Sequence, residues 1–135
     1  MAKASGLGWS VLSVDDSTGT PKDIKNDVTN LQFATPRATQ DITGVNKSAI
    51  ERLLLLADFS ITLNGVFNAA TGASHDVFKT VPSTSVARTT SLTVNGVSLN
   101  NEVLYTDYPL TRSNSGELTW AVPGVLADGT VPVWS

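Results

Sequence analysis

The chain contains no cysteine, one histidine and one methionine, and only 16% of its 135 residues are charged. Without thiols there is neither a disulfide framework nor thiolate chemistry. A transition-metal site would have to be assembled from His75 and carboxylates alone, against the donor preferences of such metals. Nine Lys and Arg against twelve Asp and Glu give a net charge of −3, which argues against sequence-independent nucleic-acid binding, because that needs a cationic face. The longest run of large aliphatics, Leu53–Leu56, falls far short of the ~20 residues that span a bilayer. The opening residues Met1 to Gly8 are too polar for a secretion signal. The expectation is a soluble chain made inside a cell, with no membrane partner and no cofactor.

What is present favours strands. The hydrophobic fraction is 41%, and Ser, Thr, Asn and Val fill the place of missing charges. The length suits one domain, residues 1–135, with a core of its own. Residues 1–9 read as an N-terminal arm running into a strand from Trp9 to Asp15, and Asp16 to Pro21 is turn chemistry. Ile24 to Asp27 reads as one short helical turn. Val28 to Thr35 alternates with Leu31 and Phe33 on one side, Pro36 interrupts it, and Arg37 to Thr43 is a polar strand. Residues 28–43 are thus expected to form a hairpin arm with its tip at Ala34 to Ala38. Ser48 and Glu51 fit a capping box, and Ile50, Leu53 and Leu54 make one stripe, so a helix is expected over residues 47–55. It would run directly into a period-two strand, with Phe59, Ile61 and Leu63 opposite Asp58, Ser60, Thr62 and Asn64.

Ser74 to Phe78 reads as a brief helical turn stopped by Pro82. Val86 to Val94 is a strand followed by Asn95-Gly96, the strongest hairpin signal in the chain, since both centres of a type I′ turn need positive φ. A change of phase between Leu99 and Leu104 predicts a bulge near Asn100-Asn101. Residues 101–123 form the expected core hairpin: Leu104, Thr106, Tyr108 and Leu110 alternate, as do Leu118, Trp120 and Val122, around Ser113-Asn-Ser-Gly116. Seven or eight strands with turns about every ten residues describe a mainly β protein, an antiparallel β-sandwich or barrel.

No convergent acid–base set emerges. His75 beside Asp76 lacks a Gly-x-Ser-x-Gly elbow, and a hydrolase is the weakest reading. Asp15-Asp16 before Thr18-Gly19-Thr20 lacks the continuation and closing Glu of a calcium loop. No catalytic, cofactor-binding or metal-binding residue is assigned. The polar faces say more. Asp58, Ser60, Thr62 and Asn64, with Thr89, Ser91 and Thr93, are small hydroxyls and amides with an acidic trace, where solvated sheet faces usually carry Lys, Glu and Arg. Such a surface lets something anionic pass without sticking.

The phrases from Asp41 to Asn68, Ser74 to Thr80 and Glu102 to Trp134 resemble the major tail tube proteins of long, non-contractile (siphovirus-type) bacteriophage tails, particularly those of phages of actinobacteria. The resemblance implies a β-sandwich with one short flanking α-helix, assembled as homo-hexameric rings stacked into a hollow tail tube in the virion, made in the cytoplasm of a bacterial host. It implies as partners other copies of the chain, the tape measure, tail terminator and distal tail proteins, and double-stranded DNA passing without specific binding. Four strands from each of six subunits, roughly 24 at ~4.8 Å spacing and ~45° tilt, would give a backbone diameter of ~50 Å and, less side chains, a bore of ~35–40 Å. In that setting Asp58, Ser60, Thr62, Asn64, Thr89, Ser91 and Thr93 are the candidates to face the bore. Trp9, Ala34, Thr35, Pro36, Arg37 and Trp134 are the candidates for contacts between subunits or rings. The alternatives are a capsid-decorating or tail-completing virion subunit, which would not polymerise, and a glycan-binding β-sandwich, which would be a stable monomer.

Overall fold

The computed structural model describes residues 3–135; Met1 and Ala2, at the start of the expected N-terminal arm, lie outside them. In chain order the elements are β1 (Trp9–Asp15), β2 (Pro21–Asp23), β3 (Val28–Ala34), β4 (Arg37–Asp41), β5 (Arg52–Ala57), β6 (Ser60–Val66), α1 (Ser74–Phe78), β7 (Arg88–Val94), β8 (Val97–Tyr105), β9 (Leu110–Arg112) and β10 (Leu118–Leu126). Eight strands form one antiparallel sheet, ordered β2-β1-β7-β8-β10-β6-β3, with β9 also on β10. The other two, β4 and β5, pair only with each other.

The large sheet curls until its far strands meet. Trp9 of β1 stands edge-on to Phe33 of β3, ring centroids 6.5 Å apart. Alternation along each strand sends one set of side chains into the enclosed side: Leu12 and Val14, Ile61 and Leu63, Leu92, Leu99 and Val103, Trp120 and Val122. The α1 turn drops Val77 and Phe78 into the same core, where Phe78 packs on Tyr105, Tyr108 and Trp120. Polar groups drawn inside find partners. The Trp120 indole donates to the Val66 carbonyl at 2.9 Å, and the hydroxyls of Tyr105 and Thr90 share a hydrogen bond of 2.6 Å. Asp27 takes the Ser74 amide and the Asn68 side-chain amide, tying the start of β3 to α1.

The mainly β, antiparallel architecture with one short helix is as expected, and the helix is the brief turn at Ser74–Phe78. The helix expected over residues 47–55 does not form. Arg52–Ala57 is strand β5, paired with β4 through Thr39↔Leu54, Gln40↔Leu53 and Asp41↔Arg52. Glu51, expected to cap the helix, is held in the ladder instead: its carbonyl accepts from Ile42 N and its amide donates to Thr43 Oγ1. A short leucine run fits either period, and cross-strand pairing overrides the local helix preference.

The hairpin over residues 28–43 is also differently built. β3 pairs with β6, from Asn30↔Asn64 to Ala34↔Ser60, rather than with β4. The chain from Val28 to Asp41 therefore runs out alongside the chain returning from Arg52 to Val66, bridged at the waist by Asp58 N donating to the Pro36 carbonyl. Ala34 to Ala38 is the neck of this ribbon, and its tip is the loop from Ile42 to Glu51. Pro36 interrupts the ladder without reversing the chain: proline removes a donor and fixes φ, and neither by itself turns a strand back.

No bulge occurs at Asn100-Asn101. β7 and β8 stay in register from Val94↔Val97 to Arg88↔Val103, closed by Asn95 (φ 51°) and Gly96 (φ 83°) in the expected tight turn. The inward series on β8 is Leu99, Asn101, Val103 and Tyr105, so Leu104 points outward. Of the core hairpin, the β9–β10 pairing at its tip and the inward Trp120 and Val122 are as expected. Its first strand is split between β8 and β9. Pro123 lacks the N–H that would extend the ladder, and β8 and β9 border β10 on either side of it.

Candidate functional site

Two surfaces carry the functional question: the outer face of the large sheet and the arm formed by β4 and β5. Cross-strand register assigns the outer face. Ser13 lies beside Ser91, which lies beside Asn100. Further along, Pro123 lies beside Thr62, which lies beside Gln32, and Ala121, Asn64 and Asn30 form the next row. Ser60, Thr62, Asn64, Thr89, Ser91 and Thr93 therefore share one face, though β8 and β10 separate the two groups. Asp58 sits just beyond β6 at the neck, its carboxylate accepting from Phe59 N. Across the outward positions of β1, β7, β8, β10, β6 and β3 there is no lysine or arginine; the charges there are Asp15 and Glu102. Thr89 donates to Glu102, and the hydroxyls of Thr93 and Ser98 share a hydrogen bond, so these four polar groups are paired sideways across β7 and β8.

Burial is the main cause raising the Asp15 carboxyl above its ordinary value, and Glu102 and Asp16 add to it. Asp16, Asp41, Asp76 and Glu117 are shifted the other way, chiefly by side-chain hydrogen bonds from Thr18, Thr43, Lys79 and Ser113. A carboxylate with a lowered folded value stabilises the fold above about pH 4 and loses that contribution as pH falls through the lowered value. Asp15 works in the opposite direction. Melting temperature is expected to fall between pH 5 and pH 2 (roughly the range over which such carboxylates protonate). Asp16→Ala should flatten that acid limb, and an unchanged slope would remove Asp16 from the account.

The arm of β4 and β5, with the loop that joins them, is rich in exposed aliphatic side chains. Ile42, Val45, Ile50 and all four of Leu53–Leu56 are exposed, Leu56 to 84%. Arg37, at the start of β4, donates from Nε and Nη2 to the Leu55 carbonyl at 3.1 and 2.8 Å, bracing the arm at its root. Ala34, Thr35 and Pro36 belong to the neck. Trp9 is half-buried against Phe33, and Trp134 packs 5.8 Å from the same ring while bridging to Leu99, yet remains 50% exposed. The surface that sequence reading missed is the leucine run itself. Its signal was present: four consecutive large aliphatics leave no polar face in a two-stranded ribbon.

His75 is stacked between Phe67 and Tyr108, its Nδ1 3.1 Å from the Tyr108 hydroxyl. The Asp76 carboxylate turns away to Gly72 N and Lys79. The two do not form a relay. Among the described residues no cluster of His, Cys, Asp and Glu is arranged to hold a metal ion, and no helix is long and apolar enough to cross a membrane.

The fold is one found in gene transfer agent particles. The chain superposes with a TM-score of 0.75 and 15% identity on a chain of the virion of a native gene transfer agent particle, covering 98% of this chain and 99% of that one. It matches a chain from the tail of an empty gene transfer agent particle, computed with helical refinement and C6 symmetry, at a TM-score of 0.74 and 17% identity, covering 98% of each. No protein-family model and no curated protein sequence matches the chain.

Proposed function

We propose that this chain is a structural subunit of a phage-type tail tube, without catalytic activity, that assembles into six-fold rings stacked into a hollow tube for double-stranded DNA. The subunit is made in the bacterial host cytoplasm and ends up in the virion tail, meeting tape measure, terminator and distal tail proteins at the tube's lumen and ends. The observation that carries this reading is the outer sheet face, free of cations over six strands and furnished with hydroxyls and amides. The full-length fold likeness to a chain of a C6 tail supports it. Turned toward a bore, such a face adds no phosphate contacts, so DNA slides without the counterion-release affinity that each lysine would bring.

Thr62, exposed at the middle of β6, is the position to test. Thr62→Lys should leave the subunit folded and tubes of normal length visible by negative stain, while DNA ejection from reconstituted particles slows. Thr62→Ser should behave as wild type. Ejection at the wild-type rate from tubes carrying lysine at this position would remove β6 from the bore.

A further inference from the structure

We infer that the β4–β5 arm is gripped on both of its faces by two different copies of this chain, so that each copy holds at least two others through one ribbon. The inference deepens the tube reading and rests on it. Leu53 and Leu54 are consecutive residues in regular register, opposite Gln40 and Thr39. Side chains at consecutive strand positions point to opposite faces. Both are exposed, 49% and 58%, so each face of the ribbon shows a large aliphatic side chain to solvent. Between Ala57 and Leu54 the strand takes three steps against two on β4, a bulge that holds Leu55 and Leu56. The leucines thus wrap the ribbon rather than striping it.

A one-sided apolar surface is covered by one partner, whereas a two-sided one needs something above and something below. The chain's own body does neither, since β4 and β5 pair only with each other. A lone two-stranded ribbon is marginal in water, and an exposed apolar edge of this kind is an aggregation site unless another molecule covers it. The occupant is a second copy rather than a foreign protein because the body offers matching surface. Leu110 and Leu118 are exposed on the β9–β10 hairpin, and Val131, Val133 and Trp134 are exposed along the C-terminal segment. One protruding ribbon and two apolar strips on every subunit make a head-to-tail contact that repeats around a ring and between rings.

The absence of cysteine makes the test direct, because a thiol introduced at one position reports that position alone. Leu53→Cys and Leu54→Cys subunits, assembled with wild-type tail-initiating complex, would be labelled with a maleimide before and after assembly. Labelling at both positions should slow at least ten-fold in the assembled particle, and Leu53→Asp and Leu54→Asp should each abolish long tubes while leaving the subunit's melting temperature unchanged. Assembled particles in which either position labels at the free-subunit rate, or normal tubes from either Asp variant, would overturn the two-sided grip alone. A wild-type chain that stays monomeric with its initiating complex would instead overturn the tube reading, and the grip with it.

Discussion

Arg88→Ala should lower the melting temperature by roughly 10–20 °C, the consequence of losing about 3–5 kcal/mol in a domain of this size. Arg88 occupies an inward position on β7 and is 1% exposed, among the most enclosed side chains in the molecule. Among the described residues its guanidinium has no carboxylate partner within ion-pair distance; it is satisfied by oxygen dipoles. Nη1 donates to the carbonyls of Asp15 and Val77 at 3.1 and 2.9 Å, and Nη2 to Thr80 Oγ1 at 2.7 Å. The Val77 carbonyl lies in the last turn of α1, where helix carbonyls have no partner of their own, so one side chain fastens that turn to β1 and β7. Truncation removes the volume and leaves buried acceptors unpaired, which costs more than the net value of the bonds themselves. Arg88→Met separates the two effects. It keeps most of the bulk and loses the donors, so its melting temperature should fall between those of Arg88→Ala and the wild type. If calorimetry finds Arg88→Ala as stable as wild type, the fastening has no energetic meaning.

Gly65→Val is the second large effect, expected to destabilise the subunit by more than the ~1–3 kcal/mol typical of overpacking. Gly65 is buried on β6 opposite Trp120 of β10, and β3 shifts register beside it between Val28 and Asn30. A Cβ built there would run into the Asp27 backbone carbonyl and the indole of Trp120 at separations that real Cβ atoms do not show. The indole is held in place by its own hydrogen bond to Val66, and the Asp27 carbonyl accepts from Val66 N at 3.0 Å. Neither neighbour can retreat without breaking a bond. Trp120→Ala should be destabilising alone, by about 3–5 kcal/mol, yet should recover part of the Gly65→Val penalty when the two are combined. Strictly additive losses by denaturant titration would show that the Asp27 carbonyl, and not the ring, is the obstacle.

How far the sequence revealed this molecule depends on the range over which each feature is decided. β1, β7 and the tight turn at Asn95-Gly96 were legible because their signals are local: alternation for the strands, positive φ for the turn. The partners of β3, β4 and β5 were not, because pairing is a contest between strands far apart in sequence, and Pro36 looked like a reversal where it is only a gap in the ladder. The leucine run misled for a related reason. Burial is what normally makes an aliphatic run interpretable, and these leucines are not buried within their own chain. Arg88 and Asn101 were invisible as interior residues, since composition places such side chains outside. The outer polar face was legible as a pattern, but its extension over six strands appeared only once β8 and β10 were known to lie between β7 and β6.

The strand order has a bearing on how the chain comes to be folded. β3 and β6 form one half of the large sheet, β2, β1, β7 and β8 the other, and β10 is the strand that hydrogen-bonds to both. Leu118–Leu126 is therefore the seam of the whole body, and it leaves the ribosome after every strand that it joins. The β4–β5 ribbon needs only its own neighbours in sequence and can close far earlier. Each nascent polypeptide thus displays its adhesive extension well before the scaffold behind it is finished, an order of events in which crowding by sister chains is a hazard during synthesis.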